Sequence, residues 1–265
     1  MSLADLTAES LLAFWAEAGI DSILSEDPID RIAAGAIALS RPAPLQPPPN
    51  LSRAATKTQD VSAQVEAARQ MAEACQSLEA LHEAIANFDG CPLKFQGAKQ
   101  AVFSRGAGDA PIIVVGEGPG QEEDQRGIPF VGRAGQLLDK MLTAAGLSDR
   151  VFITNSVFWR PPGNRNPTLE EQAVCMPFVE RAIALVQPRL LLCVGGPSSK
   201  AMLKQDEGIL SLRGRWIEWR SSDGKIEIPA LATLHPAFLL RQPGAKKMAW
   251  ADLLTLSERL DRPSR

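Results

Sequence analysis

The chain has 265 residues, 45% of them hydrophobic, and a formal net charge of −3. That is enough to bury one large α/β core with an appended helical segment, and it excludes a peptide or a fibre. The longest apolar runs, such as residues 112–115 and 190–194, fall far short of the roughly 20 residues that cross a bilayer, so no membrane role is expected.

The N-terminus opens Met1-Ser2-Leu3-Ala4-Asp5 and lacks a basic region followed by an apolar run. The four cysteines, Cys75, Cys91, Cys175 and Cys193, include no C-x-x-C pair and are too few for a disulfide framework. A cytoplasmic protein with reduced thiols is expected. Charge is uneven along the chain: residues 1–50 carry −5, residues 51–90 carry −3 and residues 91–265 carry +5. The basic remainder admits a phosphate-bearing partner without demanding one.

In chain order, residues 3–18 place Leu6, Leu11, Leu12, Phe14 and Trp15 on one helical face. Residues 41–50 contain five prolines and read as an extended linker, because proline removes backbone donors. Residues 60–87 predict one or two helices, with Val61, Val65, Ala68, Met71, Ala72 and Cys75 recurring at three and four, then Leu78, Leu81 and Ile85. Gly90 is the expected stop. The expected organisation is an N-terminal helical extension and proline-rich linker (1–50), a helical segment packing on the core (51–90), and an α/β/α domain (91–265).

From residue 110 short apolar runs alternate with helical patterns, the signature of a parallel sheet covered by helices. Four strands are expected, at 111–115, 151–154, 190–194 and 229–233, with helices at 134–145, 169–186, 197–203 and 246–260. Polar or glycine-bearing sequence follows each strand: the loop from Gly116 to Gly120, Asn155, Gly195-Gly196-Pro197-Ser198, and His235-Pro236. Ligands of open parallel sheets bind beyond the carboxyl ends of the strands, so these segments should converge on one crevice.

The loop Gly116-Glu-Gly-Pro-Gly-Gln-Glu-Glu-Asp124 lets backbone amides approach a phosphate or sugar closely. It fails as a dinucleotide fingerprint: its spacing is G-x-G-x-G, Pro119 interrupts it, and no helix is expected to start at once. Of the two histidines, His82 reads as a surface or packing residue within a helix. His235 stands at the crevice edge, and Asn155 ends the second strand with an amide able to pair with both donor and acceptor on a base edge.

Together these segments resemble the family-4 uracil-DNA glycosylases. The similarity covers about residues 91–260 and rests on five motifs in order: Gly116-Glu-Gly-Pro-Gly-x-Glu-Glu-Asp124, Gly127-Ile-Pro-Phe-Val-Gly-Arg-Ala-Gly-Gln-Leu-Leu138, Ile153-Thr-Asn155, Arg160-Pro-Pro-Gly-Asn-Arg165 and His235-Pro-Ala-Phe-Leu-Leu-Arg241. The resemblance implies a three-layer α/β/α fold around a four-stranded parallel sheet, with DNA crossing the strand ends. It implies excision of uracil, and of other deaminated bases in the widest reading, from single- or double-stranded DNA after the nucleotide is flipped into a pocket.

On this resemblance Phe130 stacks on the base, Gly118 lies beside it, Asn155 reads O4 and N3, and His235 donates to O2 as negative charge develops. The carboxylate task falls on Glu117 first and Glu123 second, while Glu122 and Asp124 are expected to be solvated or helix-capping. Gly116, Gly120, Ser198, Arg241 and Lys246 or Lys247 would grip DNA, with Pro236, Ala237, Phe238 and Leu239 in an apolar wedge; the alternative is that Phe238 and Leu239 begin a buried helix, the reading expected for Leu240. The enzyme would be a monomeric, monofunctional hydrolase, since no lysine suggests a Schiff base. A non-catalytic damaged-base binder of the same fold is the alternative.

One departure stands out. Family-4 enzymes carry four cysteines around a [4Fe-4S] cluster, whereas here Lys94 and Trp159 occupy two of the ligand positions and only Cys91 and Cys175 remain. Two thiolates do not complete a cubane. No metal or other cofactor is therefore expected, with the Lys94 stem lying on the Trp159 indole in place of the cluster.

Overall fold

The computed structural model describes residues 61–262; the helix expected at 3–18 and the linker at 41–50 lie outside the described residues. Two amphipathic helices come first, α1 (Val61–Ala74) and α2 (Leu78–Asn87), the second capped by the Ser77 hydroxyl accepting from the Ala80 amide. Helix α2 ends at Asn87 rather than at Gly90.

A six-stranded sheet follows in the order β1-β3-β2-β4-β6-β5. The inner strands are β2 (Ile112–Gly116), β3 (Val151–Asn155), β4 (Leu190–Val194) and β6 (Glu227–Thr233), and they pair in parallel. Strands β2, β3 and β4 are buried throughout, as strands covered on both faces must be. The expectation of four strands is corrected at both edges. β1 (Ser104–Gly106) pairs antiparallel with β3, and β5 (Trp216–Arg220) pairs antiparallel with β6. β1 has three residues, too few to display a period, and β5 mixes Glu218 and Arg220 into an exposed edge.

Alternation along the strands sorts the core into two layers. Ile113, Val115, Leu191 and Cys193 face α1, α2 and α5 (Leu169–Val186), where Ala68, Leu81, Phe178 and Val179 complete one cluster. Ile112, Val114, Ile153 and Leu192 face the other way, onto Leu138 and Leu142 of α4 (Arg133–Ala144) and Leu253 and Leu256 of α9 (Lys246–Asp261). Three short helices complete the list: α3 (Gln121–Arg126), α7 (Ile209–Leu212) and α8 (Pro236–Arg241). Helix α6 (Gly196–Leu203) follows β4 directly. Helix α3 starts immediately after Gly120, contrary to expectation: its N-cap is glycine, and Glu123 folds back to the Gly120 amide to close the turn.

The end of β6 is tied to α9 by a buried polar network. Asp252, 2% exposed, accepts from the Thr233 hydroxyl at 2.8 Å and from Arg213 through Nε at 3.0 Å and Nη2. Arg213 also donates to the Met248 carbonyl at 2.8 Å. Removing one partner of a buried ion pair leaves the other charge uncompensated, which costs about 3–5 kcal/mol. Asp252→Ala is expected to lower stability by that amount, read as a fall in the urea midpoint at unchanged slope. A loss under about 1 kcal/mol, the scale of one ordinary hydrogen bond, would mean the guanidinium finds other partners.

Candidate functional site

The carboxyl ends of the four parallel strands open onto one cavity of about 670 Å³. Its lining includes Glu117, Gly118, Gly120, Glu123, Phe130, Asn155, His235, Phe238 and Arg241, so the structure brings together nine of the residues named from sequence. Parallel register accounts for the convergence: Gly116 lies opposite Asn155, and the Gly195 amide donates to the Thr233 carbonyl at 2.9 Å, two residues before His235.

Phe130, Asn155 and His235 form the inner wall. Asn155 is 1% exposed, and its Oδ1 has no hydrogen-bond partner. Gly116 lets the Phe130 ring and this amide approach the backbone, since a Cβ there would lie 2.4 Å from Phe130 Cζ and 2.5 Å from Asn155 Oδ1. The Phe130 and His235 rings are 5.9 Å apart at 33°. Phe130 itself holds φ 55°, a left-handed conformation that costs an L-residue about 1–2 kcal/mol. Such strain persists only where the surroundings enforce it.

His235 caps α8, its Nδ1 accepting from the Ala237 amide at 3.2 Å. An Nδ1 that accepts carries no proton, so the neutral ring carries it on Nε2. Burial, with Arg241 adding to it and Glu123 opposing, pulls the His235 pKa down to about 4. The imidazole is therefore a neutral donor at physiological pH.

The two candidate carboxylates have different lives. Glu123 Oε2 accepts from the Gly120 amide at 3.1 Å, and Oε1 accepts from the amides of Val131 at 2.9 Å and Gly132 at 2.8 Å. Both its oxygens thus help to hold the loop and the Phe130 turn, a bracing role that the sequence alone did not indicate. Glu117 lines the cavity and burial pushes its carboxyl pKa up; its backbone is fixed by the buried Ser156, whose hydroxyl donates to the Glu117 carbonyl at 2.7 Å. Asp124 is not solvated: it is 2% exposed and accepts from the Lys99 amide at 2.8 Å.

Several expected DNA contacts are corrected by burial. Ser198 is 0% exposed and donates to the Val115 carbonyl at 2.6 Å, so its hydroxyl braces β2. Pro236 is buried at the start of α8, leaving Phe238 at the cavity, and Gly116 is buried beneath Phe130 and Asn155. Leu240 is 38% exposed, and Leu239 takes the core position instead.

The far wall is the loop around Pro161, Asn164, Arg165 and Pro167, to which sequence reasoning gave no role. Glu171, 4% exposed, holds it: Arg165 donates to both its oxygens at 2.7 and 2.9 Å, and the Thr168 amide donates at 2.8 Å. Burial alone would push the Glu171 carboxyl up, but these bonds outweigh it and hold its pKa below the usual range. The capping box Thr168-Leu-Glu-Glu171 is the signal that points to this carboxylate.

Cys91 and Cys175 are buried with their sulfurs 3.9 Å apart, the Cys175 thiol donating to Cys91. Burial pushes the Cys175 thiol up, whereas that hydrogen bond draws Cys91 down. The Lys94 side chain ends away from the Trp159 indole. Its ammonium donates to the carbonyls of Ala86 and Phe88 and pairs with Asp89, over the Phe95 ring, while Trp159 is 1% exposed with its ring edge to Phe158.

Residues 103–254 match the family model described as the uracil DNA glycosylase superfamily. The chain is 38% identical over 182 residues, 66% of its own length and 91% of the relative's, to a type-4 uracil-DNA glycosylase of Pyrobaculum aerophilum. It is 39% identical over 166 residues, 62% of its own length and 83% of the relative's, to one of Thermotoga maritima. The matched span contains all six strands and the whole inner wall of the cavity, and the chain belongs to the uracil DNA glycosylase superfamily.

Proposed function

We propose that this protein hydrolyses the N-glycosidic bond of uracil in DNA and leaves an abasic site. The observation that carries the reading is Asn155 Oδ1, a buried acceptor without a donor between Phe130 and His235. A uracil stacked on Phe130 supplies that donor as N3–H, and the same amide's NH₂ faces O4. Cytosine presents the reverse pattern and would leave both groups unpaired.

Glycosidic cleavage moves electrons into the leaving base and leaves a cation-like sugar. Nε2–H of the neutral His235 donates to O2, where negative charge accumulates. Glu117, the cavity carboxylate not committed to backbone amides, orients the attacking water and balances the sugar's charge. Glu123 is assigned to positioning. Arg241, Gly120 and Phe238 contact DNA at the cavity mouth.

The residues present do not fit a four-thiolate iron–sulfur cluster. Among the described residues no group of three or more His, Cys, Asp or Glu side chains could hold a metal ion. Cys75 donates to the carbonyls of Met71 and Ala80 within the helical layer, and Cys193 lies in the central strand β4. The enzyme is read as a metal-free variant of its family that acts as a monomer, with the helices Val61–Ala74 and Leu78–Asn87 packed on its catalytic domain.

The central test is an oligonucleotide bearing one uracil. Incubation followed by alkali should cut the strand at that position over many turnovers, and omission of alkali should leave it whole; an uncut strand after alkali would defeat the proposal. Asn155→Ala and His235→Ala should each slow the reaction by about 10² or more, the scale of one lost transition-state donor.

The pH profile separates the two acid–base groups. Glu117 must be ionised, and burial raises its pKa, so activity should rise with pH through an apparent value above the ordinary carboxylate value of about 4.3. His235, with its pKa at about 4, is already neutral there and should contribute no limb near 6.5. Glu117→Gln should remove the acid limb; its survival in that variant would assign it elsewhere. Purified protein should be colourless and contain no stoichiometric iron by colorimetric assay, and one cluster's worth of iron would overturn the metal-free reading.

A further inference from the structure

We infer that Arg105, on the edge strand β1 and outside the cavity, is a positioning residue that sets the Phe130 ring through its backbone. Arg105 lies opposite Ile153 in the antiparallel β1·β3 pair, and directly opposed residues share a face of the sheet. Ile153 belongs to the same core cluster as Phe130, so the Arg105 side chain emerges on the Phe130 side. There Nε donates to the Pro129 carbonyl at 2.9 Å and Nη2 to the Phe130 carbonyl at 3.3 Å. Asp139 of α4 accepts from the same Nη2 at 2.5 Å and fixes the fork.

The turn is thus held from both sides. Arg105 takes the carbonyls of residues 129 and 130, while Glu123 takes the amides of 131 and 132. Gly135 adds a third constraint: a Cβ there would lie 1.8 Å from the Phe130 carbonyl oxygen, so the first turn of α4 closes directly over it. Phe130 has φ 55°, which no bulky residue adopts unaided. Pinning its two flanking peptide units fixes the direction in which the ring leaves the backbone. Asp139 is half exposed, so the ion pair adds little stability by itself; its effect is on geometry. A lysine at 105 keeps the charge but cannot present the planar fork to two carbonyls.

Phe130 is the base-stacking ring only if the proposed function holds, so the experiment reads ring placement separately from turnover. Arg105→Lys and Arg105→Gln are compared with Phe130→Ala and with each double variant. Measurements are uracil release from DNA, thermal stability, and the aromatic spectrum of protein labelled with ¹³C-phenylalanine, the Phe130 signals being those lost in Phe130→Ala.

The expected result is a displaced or broadened Phe130 signal and a kcat reduced between about 10-fold and 10²-fold, the loss typical of an ångström-scale misplacement, with KM little changed. In the Phe130→Ala background the Arg105 substitutions should cause no further loss, because residues acting through one another are not additive. Should Arg105→Gln fold poorly, Arg105→Lys decides. Unmoved Phe130 signals, or losses that add in full, would overturn the inference. Absence of uracil release by the unaltered protein would defeat the functional reading alone, since the Phe130 signals still report on the clamp.

Discussion

A buried hydrogen-bond acceptor without a donor costs about 1–3 kcal/mol, and this fold keeps one, at Asn155 Oδ1, where all four parallel strands end. The constraint is stringent because no neighbouring side chain or backbone amide reaches the oxygen. On the proposed reading, a base entering the cavity is judged on whether it brings a donor to that point. In that reading stacking against Phe130 supplies affinity for any flat ring, and the unpaired amide adds the choice among rings. Discrimination of this kind rests on the penalty for a mismatched partner more than on the strength of the matched one.

That penalty operates only if the walls do not move, and most of the surrounding structure serves that end. Gly116 removes the one side chain that would separate Phe130 and Asn155 from the strand, and Gly195, at φ 95°, allows His235 to pass close by. Ser198 and Ser156 spend their hydroxyls on the carbonyls of Val115 and Glu117, on either side of Gly116. The Thr233·Asp252·Arg213 network fixes the strand end two residues before His235. Ser156 thereby braces Glu117, and Gly195 makes room for His235, both in the cavity lining.

How much of this was legible in sequence follows from what leaves a periodic trace. The four inner strands are continuous apolar runs, and the helices from 169 and 246 carry their own spacing, so the sheet and its convergent ends were readable. β1 was not, because Ser104-Arg-Gly106 is short and polar, and its strand character comes only from lying beside β3. Asn155, Phe130 and His235 were readable because each sits at a strand end or in a recognisable motif. Ser198 was misassigned because a serine in a glycine loop at a helix start looks like an anion contact until its hydroxyl is seen bonded to a buried carbonyl. The bracing role of Glu123 is equally hidden: that amides of two separated turns meet at its oxygens is a fact of three dimensions.

The division between Glu117 and Glu123 explains how two carboxylates in one cavity avoid working against each other. Glu123 accepts from three backbone amides, which hold it in the cavity wall as a brace. Glu117 lacks such donors and is partly withdrawn from water, which makes its charge costly in the resting site. A positive sugar centre would relieve that cost, so the carboxylate's interaction strengthens as the glycosidic bond breaks. The imidazole behaves in the complementary way: kept neutral by burial and Arg241, it gains most when the base oxygen becomes negative. On the proposed roles both groups interact more strongly with the charge-separated transition state than with the resting substrate, which is the condition for accelerating a bond cleavage and not only binding its substrate.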